Sequence, residues 1–284
     1  MSLLIEKTTP IIAQGITGYE ALFSLKQSLA YGMNIVGYID PKPFRDGWLG
    51  IPRFSSVEEA QNGTPVFSSI IFSPPERAKE AILEAIACAI PQIFCFTEKI
   101  PIHDMLQIKQ RLRFSSSLLI GPSSSGIITP EVCFAGFLHP GAYQRGSLGI
   151  LSRSASLGYE VACALSREQM GISTHLSIGS DRLLGMGFFD ALRLFDEDPC
   201  TKAVLLLGEK GDEVEKELAD LFETPSKQRT KKPLGLYIAG ERTRHFHLGR
   251  DRPIVETFAK KSPFVAEELA DLVPLATTIL ENAL

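Results

Sequence analysis

The chain has 284 residues, of which 44% are hydrophobic and 22% are charged, and its formal net charge at pH 7 is −4. This length exceeds what one hydrophobic core usually needs and is sufficient for two domains of a globular protein. The small excess of acidic residues gives no electrostatic reason to expect a nucleic-acid or membrane partner. No apolar run approaches the ~20 residues needed to cross a bilayer, and residues 1–7 lack the plan of a signal peptide. We therefore expect an intracellular protein, in the cytoplasm or, in a eukaryote, in the mitochondrial matrix.

Short apolar runs alternate with longer segments of helical periodicity in the first half of the chain. This pattern predicts strands at residues 10–13, 35–39, 69–72, 92–96 and 118–120, and helices at residues 19–30, 76–89 and 105–114. Strands that alternate with helices indicate a βαβ series, and hence a parallel sheet that is covered by helices on both faces.

A passage that contains glycine and proline, residues 137–146, separates this series from a second one. The second series predicts strands at residues 148–151, 175–178, 204–207 and 234–238, with helices that begin near Ser156, Gly187, Asp212 and Val265. We therefore expect two α/β domains, residues 1–130 and 147–284, joined by a linker at residues 131–146. The polar residues 224–233 are predicted to form a solvated loop.

The five cysteines have no C-x-x-C spacing, which argues against a zinc site and against a disulfide framework. They are predicted to be buried small apolar residues, and they are Cys88, Cys95, Cys133, Cys163 and Cys200.

A glycine-rich loop, Gly15-x-Thr17-Gly18-x-x-Ala21, follows the first predicted strand and opens the first predicted helix. The free N–H groups and the dipole at such a helix start attract a phosphate, but the motif alone is weakly specific. Asp40 ends the second strand, 22 residues after Gly18, where a dinucleotide enzyme places the acid that binds ribose hydroxyls. On these residues alone, an NAD-binding domain remains an alternative.

Four further segments occur in order after this loop: LGIPRF at residues 49–54, ILEAI at 82–86, TEKIPIHDM at 97–105 and GPSSSGIITP at 121–130. With the loop, they resemble the α subunit of succinyl-CoA synthetase (succinate–CoA ligase), at the intervals used in that family. The resemblance implies an N-terminal Rossmann-like domain that binds coenzyme A and not NAD. It also implies that the CoA site is lined by Thr17, Gly18, Tyr19, Glu20, Lys42, Phe96, Thr97 and Glu98.

The chain departs from the family pattern at several of these positions. Ala21 replaces the third glycine, the lysine that reaches the CoA phosphates is displaced by one residue to Lys42, and residues 121–126 replace Gly-Pro-Asn-Cys-Pro-Gly. Glu20 adds a negative charge beside the expected phosphate site, which weakens anion binding unless its side chain points away.

A second loop of small polar residues, Ser152 to Ser156, lies between a strand and a helix. A cluster of N-capping serines without any ligand would give the same pattern. The loop resembles the Ser-Arg-Ser-Gly segment of the same family. That resemblance implies that backbone amides at the helix N-terminus receive the phosphoryl group, in the loop of Ser152, Arg153, Ser154 and Ala155, and that Tyr159 contributes to the succinate or phosphate pocket.

The resemblance further implies that one histidine is transiently phosphorylated, with His247 as the best match and Glu209 as the carboxylate that orients it. Imidazole suits this role because one neutral nitrogen is nucleophilic near pH 7 while the other donates to a carboxylate. Around His247 the family's glycine-rich loop is shortened, and Arg250, Arg252 and Pro253 replace small residues. The alternative is that His245 and His247 are solvated residues of a degenerate loop and Glu209 is an ordinary surface residue. His103, His139 and His175 are predicted to be structural.

The resemblance as a whole implies a CoA-binding domain followed by a flavodoxin-like ligase domain. The expected function is that of an α-type subunit of a nucleoside-diphosphate-forming acid–thiol ligase, which joins a small carboxylic acid to coenzyme A. ATP or GTP with Mg²⁺ is expected on an ATP-grasp β subunit, in a heterodimer or heterotetramer. The alternative is a catalytically degenerate CoA-binding paralogue with a regulatory or structural role.

Overall fold

The computed structural model describes residues 3–16, 18–40, 50–224, 230–240 and 264–283. Its first sheet has six parallel strands in the order β3-β2-β1-β4-β5-β6. The strands are β1 (Ile11–Gln14), β2 (Ile35–Ile39), β3 (Arg53–Phe54), β4 (Ser68–Ile71), β5 (Gln92–Cys95) and β6 (Leu118–Ile120), and the helices between them are α1 (Tyr19–Ala30), α2 (Val57–Gly63), α3 (Pro75–Ala87) and α4 (Ile102–Leu112).

The central strands of this sheet are buried along their whole length, as expected when helices cover both faces. Helix α3 shows how the sequence meets this requirement: it begins with a proline at its first turn and buries Ala78, Ala81, Ile82 and Ala85, which share one face at helical spacing. The strand order reverses between β1 and β4. A crevice therefore opens at the carboxyl ends of these two strands, where sheets of this kind bind their ligands.

The second sheet has seven strands in the order β13-β12-β11-β9-β10-β7-β8. Its strands β9 to β13 run parallel, whereas β7 is antiparallel to both β10 and β8. The strands are β7 (Gly126–Thr129), β8 (Cys133–Gly136), β9 (Arg145–Ser152), β10 (Ile172–Ser177), β11 (Ala203–Glu209), β12 (Leu234–Ala239) and β13 (Val265–Ala266), and the helices are α5 (Ala155–Arg167), α6 (Phe188–Glu197), α7 (Asp212–Glu223) and α8 (Leu272–Glu281).

The predicted alternation of strands and helices in two α/β units is confirmed, and β2, β6 and α1 have the predicted bounds. The hairpin of β7 and β8 was not predicted, because four-residue apolar runs are too short to show a period. It hydrogen-bonds to the second sheet, although residues 126–130 were assigned to the first domain and 131–146 to a linker.

The helix predicted to begin near Val265 begins at Leu272 instead. Residues 265–266 form the edge strand β13, and Glu268 and Asp271 form a capping box around the short helical turn that leads into α8. Capping residues, and not the apolar pattern, therefore set this helix start.

Two smaller predictions need correction. None of the five cysteines forms a disulfide, and Cys95 and Cys133 are buried, but Cys88 and Cys163 are half-buried and Cys200 is exposed in the turn after α6. Residues 225–229 of the predicted solvated loop lie outside the described residues. Beyond them, the half-buried Lys232 ammonium donates to the carbonyl groups of Phe195 and Asp198, so this end of the loop packs on α6.

The two sheets are joined by hydrogen bonds as well as by a shared apolar core. The Ser24 hydroxyl of α1 donates to the Gly136 carbonyl of β8 over 2.6 Å, and the Tyr31 hydroxyl accepts from the Glu131 amide over 2.7 Å. Phe94 of β5 and Ile127 of β7 belong to the same buried cluster. In the described part of the chain, no helix combines the length and the apolar character that a membrane span requires.

His175 is fully buried in β10, and its Nδ1 atom lies 2.8 Å from the Tyr143 hydroxyl. Its Nε2 atom is turned toward Gly158 of α5 and has no hydrogen-bond partner among the described residues. Because burial penalises the charged form, the pKa of His175 is lowered to about 3. The predicted structural role of this histidine agrees with its burial.

This burial predicts a pH-dependent stability. The pKa of an unfolded histidine is about 6.5, so between pH 6.5 and 3 the unfolded chain binds a proton that the folded chain rejects. The free energy of unfolding should therefore fall with falling pH by up to about 1.4 kcal/mol per pH unit from this group. Urea titrations from pH 7.5 to pH 4.5 should show the stability of His175→Asn falling less steeply than that of the unsubstituted chain. Parallel curves would contradict a buried, neutral His175.

Candidate functional site

The glycine loop lies between β1 and α1, at the crevice of the first sheet. Gly15 has a φ of +66°, and a Cβ there would lie 2.2 Å from the Ser73 Oγ in the loop after β4, so only glycine fits this close approach. Gly18 has a φ of +90° and caps α1 without any side-chain hydrogen bond. Because glycine has no side chain, the N-cap residue itself leaves the first N–H groups of α1 uncapped, as at helix starts that bind anions. Thr17 and Lys42 lie outside the described residues.

A cavity of about 550 Å³ occupies this crevice. Four of its lining residues were predicted for the CoA site from the sequence: Glu20, Phe96, Thr97 and Glu98. Ala155, which was predicted for the phosphate loop, lines the same cavity. Other lining residues were missed, because they come from distant loops that the fold brings together: Phe72, Ser73, Lys99, Ser123, Ser124 and Ser180. Tyr19 instead exposes 80% of its surface and stacks on Phe23 on the outside of α1.

One wall of the cavity is aromatic. The rings of Phe72, Phe96 and Phe137 contact one another, with centroid distances of 5.0, 5.4 and 5.8 Å. Beside them, the Thr97 hydroxyl donates to the Ser73 carbonyl over 2.6 Å and so ties together the loops that follow β4 and β5. Lys99 is the one cationic side chain among the described lining residues. The cavity thus offers an apolar surface, one positive charge at Lys99 and two carboxylates, at Glu20 and Glu98.

Residues 121–126 connect the cavity to both domains through hydrogen bonds. The Ser123 amide donates to the Thr97 carbonyl over 2.8 Å on the first side. On the second side, the Ser124 hydroxyl donates to the Ser177 carbonyl over 2.5 Å, and the Ser125 amide donates to the Ser177 hydroxyl over 3.1 Å. The three serines therefore link the two domains through hydrogen bonds.

The second loop lies between β9 and α5 and reaches the same cavity through Ala155. Ser154 is the N-cap of α5: its hydroxyl accepts from the Leu157 amide over 3.3 Å, while its own amide donates to the Ser152 hydroxyl over 3.0 Å. Ala155 and Ser156 are exposed, and their amides donate no backbone hydrogen bond to the described residues outside α5. Two N–H donors at the start of a helix are suited to hold an anion.

Glu209 ends β11 and lies beside this loop. Its side chain is exposed, and its Oε1 atom accepts a hydrogen bond from the Ser154 hydroxyl. Sequence reasoning had placed Glu209 and Ser154 in one site, and the fold brings them into contact although 55 residues separate them. His247 lies outside the described residues, so its role remains a prediction.

The side chains of Arg153 and Tyr159 are engaged by other protein groups, and the roles predicted for these residues stay predictions. The Arg153 side chain is only 5% exposed, and its guanidinium donates to the Glu217 carboxylate over 3.0 Å and to the Asp181 carbonyl over 2.8 Å. A buried guanidinium needs such compensation, so protein groups hold it in place of a phosphate. Tyr159 is half-buried in α5 and hydrogen-bonds to Cys163, which raises the pKa of the tyrosine.

The described residues provide little for two other ligand classes. Asp40, on which an NAD site depends, is only 6% exposed, whereas a carboxylate that binds ribose must be accessible. Within the described ranges, no group of three or more histidine, cysteine or acidic side chains is placed to hold a metal ion.

Each of the two sheets has strands within a segment that matches a known protein family. Residues 6–99 match the CoA binding domain family, and residues 151–251 match the CoA-ligase family. The α subunit of the ADP-forming succinate–CoA ligase of Staphylococcus aureus is 38% identical over 241 residues, which cover 85% of this chain and 78% of the relative. The α subunit 2 of Archaeoglobus fulgidus is also 38% identical, over 84% of this chain and 82% of its own length.

Solved structures share the fold at lower identity. The ATP citrate lyase of Methanothrix soehngenii, in complex with citrate and coenzyme A, superposes with a TM-score of 0.82 at 19% identity; the match covers 98% of this chain and 50% of that one. The dinucleotide-forming acetyl-coenzyme A synthetase 1 of Candidatus Korarchaeum cryptofilum gives a TM-score of 0.75 at 19% identity, over 96% of this chain and 61% of that one. The chain therefore spans about half the length of the first of these proteins. Its sequence and its two domains show that the chain belongs to the family of succinate–CoA ligase α subunits.

Proposed function

We propose that this chain is the α-type subunit of a nucleoside-diphosphate-forming acyl-CoA synthetase. It binds coenzyme A in the first domain and passes a phosphoryl group through the second. The observation that carries the proposal is the single cavity bordered by both helix starts, at Glu20 and Ala21 of α1 and at Ala155 of α5. A thiol donor held by the first helix start can therefore meet an acyl phosphate held by the second.

The first half of the site suits coenzyme A through its helix start and its apolar wall. The uncapped start of α1 faces the crevice and would receive phosphate oxygens. The aromatic wall of Phe72, Phe96 and Phe137 would cover the pantetheine arm. Lys99 supplies a positive charge beside them. With the phosphates at the start of α1, the thiol end of the cofactor would extend toward Ala155.

The second half of the site suits a transferable phosphoryl group. The amides of Ala155 and Ser156 would donate hydrogen bonds to two phosphoryl oxygens. In the structure without ligand, the Ser154 hydroxyl donates a hydrogen bond to the Glu209 carboxylate. An imidazole N–H that binds Glu209 would release the Ser154 hydroxyl to donate to the phosphoryl group. The same contact would neutralise a carboxylate that otherwise repels the anion. We assign His247 as that imidazole.

The reaction then proceeds in three steps, two phosphoryl transfers and one acyl transfer. A histidine nitrogen takes the phosphoryl group of the nucleoside triphosphate and releases the diphosphate. The carboxylic acid takes that group from the histidine and becomes an acyl phosphate. Finally, the thiol of coenzyme A attacks the acyl carbon, loses its proton and expels inorganic phosphate, which the amides of α5 stabilise as its charge develops.

The remaining parts of the proposal concern the partner. A β subunit, of the ATP-grasp type, would supply the site for ATP or GTP with Mg²⁺ in a heterodimer or heterotetramer in the cytoplasm. Succinate is the acid named for the relatives in Staphylococcus aureus and Archaeoglobus fulgidus. These relatives favour an active subunit over a degenerate CoA-binding paralogue.

The CoA site predicts a specific effect of Lys99. Replacing Lys99 by Met keeps the length of the side chain but removes its charge, and we expect CoA affinity to fall about tenfold, the loss of one charge-assisted hydrogen bond. Calorimetric titration of the full chain measures this. Lys26→Met, at an exposed position of α1, is the matched control and should bind CoA normally. Binding of NAD without binding of CoA would refute the proposed cofactor.

The phosphate site predicts a covalent intermediate. Mixed with its β subunit, ATP and Mg²⁺, the chain should acquire an acid-labile, heat-labile phosphate that ³¹P NMR assigns to histidine, and His247→Asn should abolish it. Glu209→Gln should slow its formation about 10- to 100-fold, the size of effect seen when a carboxylate that orients a metal-bound histidine is removed. Glu160→Gln, an exposed acid on α5, should behave as the unsubstituted chain. Normal phosphorylation of Glu209→Gln would exclude the orienting role.

A further inference from the structure

Arg153 lies at the centre of a chain of hydrogen bonds that connects the cavity loop of residues 97–99 to the phosphate loop of residues 152–156. We propose that Arg153 is a positioning residue which, through Asp181, couples ligand binding in the first domain to the geometry of the phosphate loop in the second. The inference rests on the proposed function, because it takes coenzyme A and phosphate as the two ligands.

The first link joins the domains. The Lys99 amide donates to the Asp181 Oδ2 atom over 3.0 Å, and the Ile100 amide also bonds to this carboxylate. Thr97, Glu98 and Lys99 all line the cavity, so a ligand there contacts the loop that holds Asp181. Asp181 itself does not line the cavity.

The second link passes through the buried guanidinium. The Asp181 carbonyl accepts from Arg153 Nη2 over 2.8 Å, and Glu217 Oε2 accepts from Arg153 Nη1 over 3.0 Å. The other Glu217 oxygen accepts from the Phe188 amide at the start of α6, and this hydrogen bond holds the carboxylate that pairs with Arg153. The Nε atom of Arg153 is buried without a partner among the described residues. A buried charge held in this way has few alternative positions.

The third link reaches the chemistry. The Arg153 amide donates to the Leu207 carbonyl over 3.0 Å, two residues before Glu209 in β11. Arg153 also directly precedes Ser154, the N-cap that donates to Glu209. A displacement of Arg153 therefore changes the position of Ser154 relative to Glu209, and with it the first two amides of α5.

The coupling has a definite sign. Coenzyme A in the cavity orders the loop at residues 97–99 and, through Asp181, holds the phosphate loop in its binding arrangement. Phosphate should then bind more tightly, and by thermodynamic reciprocity phosphate should tighten CoA binding by the same factor. We expect a factor of about 5, at the lower end of measured couplings.

Asp181 allows this link to be cut without touching either ligand. Asp181→Ala removes the carboxylate that accepts from Lys99 but keeps the carbonyl that accepts from Arg153. Asp181→Asn is the matched control, because its side-chain oxygen still accepts from the Lys99 amide. The dissociation constant of CoA is measured by calorimetry with and without saturating inorganic phosphate, on the full chain assembled with its β subunit.

The expected result is an approximately fivefold tightening by phosphate for the unsubstituted chain and for Asp181→Asn, and a ratio near 1 for Asp181→Ala. The ratio isolates the coupling from any loss of CoA affinity or stability that the substitution itself causes. The inference is overturned if phosphate fails to tighten CoA binding in the unsubstituted chain, or if Asp181→Ala retains the full ratio. Absence of CoA binding to the unsubstituted chain would instead refute the proposed function, and the inference with it.

Discussion

Unpaired backbone N–H groups at two helix starts are the feature on which the rest of this site depends. The first turn of any helix leaves donors without a partner inside the helix, and the helix dipole adds positive potential there. In α1 and α5 these donors border one cavity, because each helix follows a strand of its own parallel sheet and the two sheets pack together. Most of the binding potential for anions thus comes from the backbone and not from basic side chains.

This arrangement requires that the two sheets keep a fixed relation, and polar contacts contribute to it. The serines at residues 123–125 bond to the first sheet at Thr97 and to the second at Ser177. The Arg153–Glu217 pair and Asp181 add a second connection near the phosphate loop. Buried hydrogen bonds are costly to break and depend on direction, so they define relative position more narrowly than apolar packing does.

The Glu209 carboxylate can accept a hydrogen bond both in the free protein and during phosphoryl transfer, from a different donor in each. A carboxylate beside a helix start competes with any anion that binds there, so its position is unfavourable for phosphate unless a proton donor intervenes. The hydrogen bond from Ser154 satisfies Glu209 in the free protein, and an imidazole would take over that role during phosphoryl transfer. The charge of the Arg153 guanidinium is likewise compensated within the protein, by the Glu217 carboxylate.

Local pattern was sufficient for much of the fold. Except for the two-residue strand β3 and the seven-residue helix α2, which were not predicted, the alternation of apolar runs and helical periodicity determined the succession of strands and helices up to β6 and again from β9 to β12, since these elements carry a clear period or are buried throughout. It did not reveal the β7–β8 hairpin or the edge strand β13, which are short and are stabilised by neighbouring strands. Capping at Glu268 and Asp271 likewise overrode the apolar pattern before α8.

The site divides in the same way. The sequence by itself determined which two loops are built to hold anions, because glycine and small polar residues between a strand and a helix have a local physical meaning. Resemblance to the family added Glu209, Phe96, Thr97 and Glu98. Only the tertiary structure decided that both loops open into one cavity, that Lys99 is its cationic residue and that Arg153 is engaged by Glu217 and Asp181. Those facts depend on contacts between residues far apart in the chain, and no local pattern encodes such contacts.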